Sequence, residues 1–448
     1  MDNQPDFTRI FNNVISGNSD YYYTGSVDSD PLVIENGVID ANRANQGTYT
    51  GYELEHQACI AVSAQSASSG KLIVQLRNLR LVESCGDGLQ MTYNTKVQAE
   101  NVHDWNCFRG GVVMSGGGHV YQEFGGTSGG DIHAYAYNIE PTAIPGTAIY
   151  IRSFGKIVAN GVDVSLENTV DSVVIFDGLK ITTGSAFLVY GGTSSSFRFL
   201  NCGIRWGNAN SYAVRQPRDI LFENCNITIY EDAAEATATI LGMYTVWDGI
   251  AGQSCKYVRC NFTIDASVEA GDTVYAVSQA AVLNGFECDL DFYRCKFTGF
   301  DYGVLADGGR VSFDTCESDG DLLRLSGVVS TRDNTVRIVG PQKMATGKSL
   351  IRQVGSTSPG LIKYFNHSLD GGSGAAGSGE NTLLFSGFTN VTKTGGRTIY
   401  VTGTPSGGGL IGDIAVLTAP TAGNIAAWVA TTNSNTAALW KAAYTLAA

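Results

Sequence analysis

The sequence predicts an all-β chain: a right-handed, single-stranded parallel β-helix of about 11–13 coils followed by a small C-terminal β module. Three observations predict it. The composition is rich in glycine and poor in charge, a six-residue frame recurs along the chain, and the spacing of that frame clusters near 22 residues.

Composition comes first. Of 448 residues, 43% are hydrophobic and only 16% charged, with 55 Gly and 9 Pro. Exposed helix faces would need far more Glu, Lys and Arg, whereas short strands joined by tight turns need glycine. The formal net charge of −13 opposes nucleic acid or an anionic membrane as the main partner. No apolar run is long enough for a spanning helix, and "MDNQPDFTRI" has no charged-then-apolar leader pattern. The start runs abruptly into β-like sequence, so the chain is expected to be a piece of a longer protein. Ten cysteines in a chain of this length are too sparse for a disulfide scaffold.

The frame reads apolar, x, Asn, core, x, apolar. It is plainest in "FLNCGI", "FENCNI", "YVRCNF", "FYRCKF" and "FDTCES", whose core residues are Cys202, Cys225, Cys260, Cys295 and Cys316. The same frame places Leu79, Val102, Ile139, Val162, Leu179 and a weaker Val336 in that slot. Six of the ten steps between slots are 20 to 23 residues, the length of one β-helix coil. A slot that accepts Leu, Val, Ile and Cys alike is an inward apolar position, so the thiols are expected free and buried. Asn78, Asn101, Asn138, Asn201 and Asn224 are expected to stack as an asparagine ladder in a turn, where Asn tolerates unusual backbone angles. Residues 1–30 form a lead-in or cap, 31–344 the β-helix, and 345–448 a separate β module marked by "GSTSPG", "DGGSGAAGSGENT" and "TGTPSGGG".

Strand alternation then sorts side chains in "GDIHAYAYNIE". Ile132, Ala134 and Ala136 are expected inside, and Asp131, His133, Tyr135 and Tyr137 outside. The same register sets Lys96 and Lys156 on either side of His133, with a loop carrying His119, Tyr121 and Glu123 walling a groove. Aromatic faces suit sugar rings, while amines and carboxylates suit hydroxyls and uronates. Asp131, His133, Tyr135 and Glu123 are therefore candidate catalytic groups, and Lys96, Tyr137, Lys156 and Tyr121 candidate binding groups. A second cluster, Glu287, Asp289 and Asp291 in "FECDLDFYRC", offers carboxylates at glycosidase-like spacing. Register sets Lys256 beside Asp291 and Arg310 beside Asp289, so ion pairing explains those residues equally well. No metal and no cofactor is expected.

The last stretch, "GDIAVLTAPTAGNIAAWVATTNSNTAALWKAAYTLAA", resembles the C-terminal ends of bacteriophage tail fibres and tailspikes. With the β-helix before it, the chain resembles a tailspike depolymerase of the pectate-lyase-like superfamily. "CGDGLQM", "NVHDW" and "FRGGVVM" are similar to a run in β-helical polysaccharide lyases and C5-epimerases, which would make Asp87 and Arg109 catalytic and His103 a substrate contact. The resemblance implies a homotrimer on the virion tail, attached to the phage baseplate through an N-terminal portion outside this chain. It implies cleavage of capsule, O-antigen or exopolysaccharide, by hydrolysis slightly ahead of β-elimination. A non-catalytic adhesin using the same groove is the alternative. By register Asp104 falls inward, as a turn cap or buried hydrogen-bonding residue.

Overall fold

The computed structural model describes residues 31–41, 43, 58–63, 72–115, 119–130, 135–139, 148–152, 156–159, 164–166, 173–183, 188–190, 195–207, 213–215, 218–231, 239–246, 253–279, 289–306, 309–326, 334–339, 342–345, 348, 351–354, 361–365, 385–386, 393–394, 398–401, 404–405, 414–417, 419, 425–431 and 439–445. The chain is all-β with parallel sheets, and it divides into two compact units, residues 1–235 and 236–448. Among the described residues no helix is long and apolar enough to cross a membrane.

In the first unit the strands alternate between two parallel ladders. One ladder stacks Leu32–Asp40, Leu72–Val82, Thr95–Trp105 and Val120–Gly129, with Val74↔Val97↔Tyr121 and Leu79↔Val102↔Gly126 in register. It continues with Ala148–Arg152, Val173–Asp177, Ser196–Leu200 and Asp219–Glu223. The other stacks Ala58–Ser63, Asp87–Thr92, Gly110–Ser115, Tyr135–Ile139 and Val164–Leu166. Their inward columns are apolar. Phe176, Phe199 and Phe222 share one column, with ring centroids 5.0 and 4.9 Å apart. That is the strand spacing itself, and stacked rings fill a repeating slot without voids.

In the second unit Ser254–Val258, Asp289–Tyr293, Gly309–Asp314, Asn334–Val339 and Leu361–Phe365 stack in parallel. Parallel pairing thus continues past residue 344: Lys393 and Thr394 still align with Ile362 and Lys363. Thr398–Val401, Ile414–Leu417, Ile425–Ala430 and Trp440–Thr445 form a small mixed sheet of their own.

The corner of each layer lies at the Asn position of the frame. Asn78, Asn101, Asn201 and Asn224 have φ of 51°, 55°, 55° and 54°, the left-handed region that Asn tolerates best after Gly. Each amide also reaches the layer before: Asn78 Nδ2 donates to Asn36 Oδ1 at 3.0 Å, and Asn101 to Asn78 at 3.1 Å. Asn201 donates to Asp177 at 2.9 Å, and Asn224 to Asn201 at 3.2 Å. Beside them Cys202, Cys225, Cys260, Cys295 and Cys316 are buried and free. Their thiols donate to main-chain carbonyls, as Cys202 does to Leu200 at 3.3 Å and to Phe176 at 3.6 Å.

Two copies of the frame fall elsewhere than the sequence predicts, and one slot was missed. Ile139 and Asn138 belong to the other ladder, where Ile139 aligns with Met114 and Leu166 and Asn138 is buried. The layer after Val102 is turned by Gly125 (φ 69°) and its slot is held by Gly126, inside a Gly-rich stretch that resembled an excursion. Val336 sits in the Leu290–Val311 column, and Gln342 lies above Cys316, accepting its N–H at 2.8 Å. Val162 is outside the described residues.

Asn201 both donates and accepts along its ladder. Asn201→Ala should therefore cost about 2 kcal/mol, roughly 1 from the left-handed backbone and 1 from the lost hydrogen bonds. Asn201→Gly should cost about half as much, because the backbone penalty vanishes. Urea unfolding of the three proteins checks the order; equal losses for Ala and Gly would show that backbone geometry is not the constraint.

Candidate functional site

The strand Val120–Gly129 begins directly after the Gly-rich segment, and its alternation turns Tyr121 and Glu123 inward. Glu123 aligns with Leu76, Ala99, Ile151 and, through Ile151, Phe176. A carboxyl group thus occupies the interior apolar column. Its Oε2 accepts from Tyr137 Oη at 2.7 Å and from Tyr121 Oη at 3.3 Å. Tyr121 is 1% exposed, Tyr137 3% and Glu123 6%. Burial raises Glu123 from 4.5 to about 7, the two phenol donors opposing that rise. Both phenols are pushed well up, by burial first and then by the Glu123 charge.

A second buried pair lies close by. Ser128 Oγ donates to Asp104 Oδ1 at 2.5 Å, in the inward column that Leu81 holds one layer earlier. Burial raises Asp104 well above the usual carboxylate range; Ser128 opposes this and the Glu123 charge reinforces it. Asp104 explains the glycines of the two neighbouring motifs. A Cβ on Gly111 would lie 2.5 Å from Asp104 Oδ1 and 2.6 Å from Ser128 Oγ. A Cβ on Gly88 would lie 2.9 Å from the Gly111 carbonyl and 3.0 Å from Asp104 Cβ. Gly88 and Gly111 are clearance for an aspartate that its register turns inward.

Asp87 and Arg109 do come together: Arg109 Nη1 is 3.8 Å from Asp87 Oδ2. Asp87 is wholly buried, however, and its strand partner is Gly110. His103 faces the other side of its strand from Asp104. Its Nδ1 pairs with Thr127 Oγ1 and its Nε2 with Asn101 Oδ1, both at 2.8 Å. Partial burial, aided by the Arg80 charge, lowers its pKa.

The residues expected to flank His133 fall in two different ladders. Lys96 aligns with Ile73 and Val120, and Lys156 with Thr127 and Lys180, all in the first ladder. Tyr135 aligns with Gly110 and Tyr137 with Val112, in the second. Lys96 and Lys156 thus share a ladder that Tyr135 and Tyr137 do not join. Tyr137 points inward, as do Tyr121 and Glu123, so none of the three walls an open groove. His119 is also buried, held by Thr95 Oγ1 and the Ser115 carbonyl, each at 2.7 Å. Asp131, His133 and Glu287 are outside the described residues, as is the side chain of Tyr135. Asp289 ion-pairs with Arg310, and Asp291 aligns with Lys256 and Ser312, as the alternation predicts. Among the described residues no group of three or more His, Cys, Asp or Glu is arranged to hold a metal ion.

What the outer face does present was missed by sequence. Trp105 is 43% exposed and Phe108 47%. Trp105 stands two residues beyond His103 on the same face, between Val82 in one layer and Gly129 in the next. Gly129 brings no side chain to that column. Asn106 (φ 55°) then turns the chain, anchored through Nδ2 to Glu83 Oε1 at 2.9 Å, and Phe108 N–H bonds the Ser84 carbonyl at 2.9 Å. Arg80 and Thr127 flank His103 in its own column. Strict alternation through "NVHDW" would have found Trp105. An exposed indole beside polar groups can stack on the C–H face of a sugar ring while its neighbours meet the hydroxyls.

Comparison of the chain with protein-family models, curated proteins and solved structures finds no match.

The raised Glu123 pKa has a definite sign. The contribution of Glu123 to stability is full below pH 4.5 and is lost as pH rises through about 7, about 3 kcal/mol for a fully buried group. Glu123→Gln, which can still receive both phenol hydrogens, should remove that slope and raise stability at alkaline pH. Urea midpoints measured across this range check it; parallel pH profiles for the two proteins would sink the assignment.

Proposed function

We propose that the two ladders are faces of a right-handed, single-stranded parallel β-helix and that the protein is a bacteriophage tailspike depolymerase. In this reading it is a homotrimer on the virion tail that binds and endo-cleaves a bacterial capsule, O-antigen or exopolysaccharide. The observation that carries the reading is the exposed Trp105 on the same outer face of a stacked parallel ladder as His103, whose column also holds Arg80, with Phe108 exposed after the following turn. A surface that repeats every strand spacing, with aromatic rings on it, suits a polymer of sugar rings better than a compact ligand.

Hydrolysis by two carboxylates is favoured over β-elimination. A base flanked by two lysines would suit elimination, but Lys96 and Lys156 lie in a different ladder from Tyr135 and Tyr137. Glu123, Asp104 and Asp87 are too buried to touch a polymer. Their part is to shape the interior behind the outer face.

The test is incubation with a panel of capsular, O-antigen and exopolysaccharide preparations, following reducing ends and ultraviolet absorbance together. Reducing ends without new absorbance are expected for hydrolysis. Reducing ends with absorbance from an unsaturated sugar would mean elimination, and binding without cleavage an adhesin. Trp105→Ala should weaken polysaccharide binding about tenfold without loss of folding, the worth of one good aromatic contact. Unchanged affinity would remove Trp105 from the binding surface.

A further inference from the structure

The second unit carries a cleft that no residue discussed so far occupies. Three short strands, Lys296–Thr298, Glu317–Ser318 and Lys343–Met344, stack in parallel, with Lys296↔Glu317↔Lys343 in register. Phe297 and Ser318 turn inward and are buried. The outer column therefore reads cation, anion, cation over two strand spacings, about 10 Å. Alongside runs a second column with Thr298 and Asp319. The cavity between these residues has a volume of 310 Å³, at the small end for a ligand site.

The charges in it are not equally satisfied. Glu317 Oε2 lies 3.8 Å from Lys343 Nζ. Both Asp319 oxygens accept the Gly299 N–H, at 2.9 and 2.8 Å. That contact is made possible by the left-handed Gly299 (φ 89°), and it fixes the carboxylate at the cleft while leaving lone pairs for further donors. Lys296 is exposed and makes no ion pair among the described residues. Each carboxylate thus already has a donor, and the unmet charge is one ammonium.

We propose that this cleft binds one glycosyl unit bearing a carboxylate, as a subsite separate from the Trp105 face. Asp319 and Glu317, two residues apart on the same side, would accept from sugar hydroxyls. Lys296 would meet the sugar's carboxylate, a charge-assisted contact stronger than a neutral one. Two carboxylates that already have donors are ready acceptors, and a free amine beside them selects an acidic unit over a neutral one. The inference rests on the glycan-binding reading above, but on different residues.

The experiment is calorimetric titration of the whole protein with acidic capsular oligosaccharides and with the same oligosaccharides after chemical reduction of their carboxyl groups. Lys296→Ala and carboxyl reduction should each weaken binding about tenfold, and together no more than either alone, because they remove the two ends of one contact. Asp319→Asn should weaken the acidic and reduced forms alike. Lys296 is exposed, so its substitution should leave the thermal unfolding curve unchanged. Binding that is indifferent to Lys296→Ala and Asp319→Asn but lost in Trp105→Ala would overturn the cleft and leave the glycan reading standing. Additive effects of Lys296→Ala and carboxyl reduction would likewise overturn it. Failure of every oligosaccharide to bind would overturn both.

Discussion

The stacked parallel strands depend on how the chain turns at one recurring position, left-handed in several described layers. A parallel ladder forces each layer to repeat the backbone of the last, so an unfavourable conformation is repeated with it. The corner residue is left-handed in layer after layer, which costs about 1 kcal/mol for a residue with a Cβ. Asn36, Asn78 and Asn101 offset it with an amide ladder, as Asn201 and Asn224 do further on. Gly125 and Gly178 avoid it by having no side chain. In the second unit Arg259, Arg294 and Thr315 take the position with neither device. Their main-chain N–H groups still bond the next layer: Arg259 to Tyr293 at 2.7 Å and Arg294 to Asp314 at 2.8 Å. Because the corner is fixed, so is the alternation on both sides of it, which sends the cysteines inward and His103 and Trp105 outward.

The interior is not uniformly apolar. Where the inward columns reach Asp104 and Glu123, the apolar stack gives way to two carboxyls, two phenols and a serine. Burying such groups is tolerable only with partners, and each of these has one at hydrogen-bond distance. The demands of that seam spread outward through the sequence. Gly88 and Gly111 keep clear of Asp104, and a Cβ on Gly126 would approach Glu123 Oε1 to 2.7 Å. In the run of Asp, His, Arg and paired glycines, Gly88 and Gly111 therefore follow from packing around a buried acid, while His103 faces the other side of its strand and Arg109 lies by Asp87.

Chemistry available to solvent is displaced to the outer face: the Trp105 indole on the face of His103 in the first unit, and an ammonium–carboxylate cleft in the second. Both kinds of surface are read off a repeating lattice, so neighbouring contacts fall one strand spacing apart along the stack and about 7 Å apart along a strand. Those two lengths are comparable to the dimensions of a sugar ring and its linkage, which is why such a face suits an extended glycan.

Much of the fold was legible in the sequence by itself. The frame with Asn or Cys in fixed places established an all-β chain with stacked parallel strands, a buried thiol slot and an asparagine ladder, because identical layers write their constraints as identical letters. The pairing of Asp289 with Arg310 followed from the same ruler. Alternation within one strand turned Asp104 inward correctly but put Tyr137 outside, where the structure buries it. Which ladder a strand joins was decided only in three dimensions. "AYNIEP" matches the frame as well as "FLNCGI" does, yet Asn138 and Ile139 pair with Val113 and Met114 because the true corner had already been made at Gly125. A glycine corner leaves no letter to distinguish it from a loop, so the count slipped there and took the surroundings of Tyr135 and Tyr137 with it. The inside of a strand can be told from its sequence where the frame is intact, but its neighbours across the layers cannot, since the turns fix which strand it lies beside.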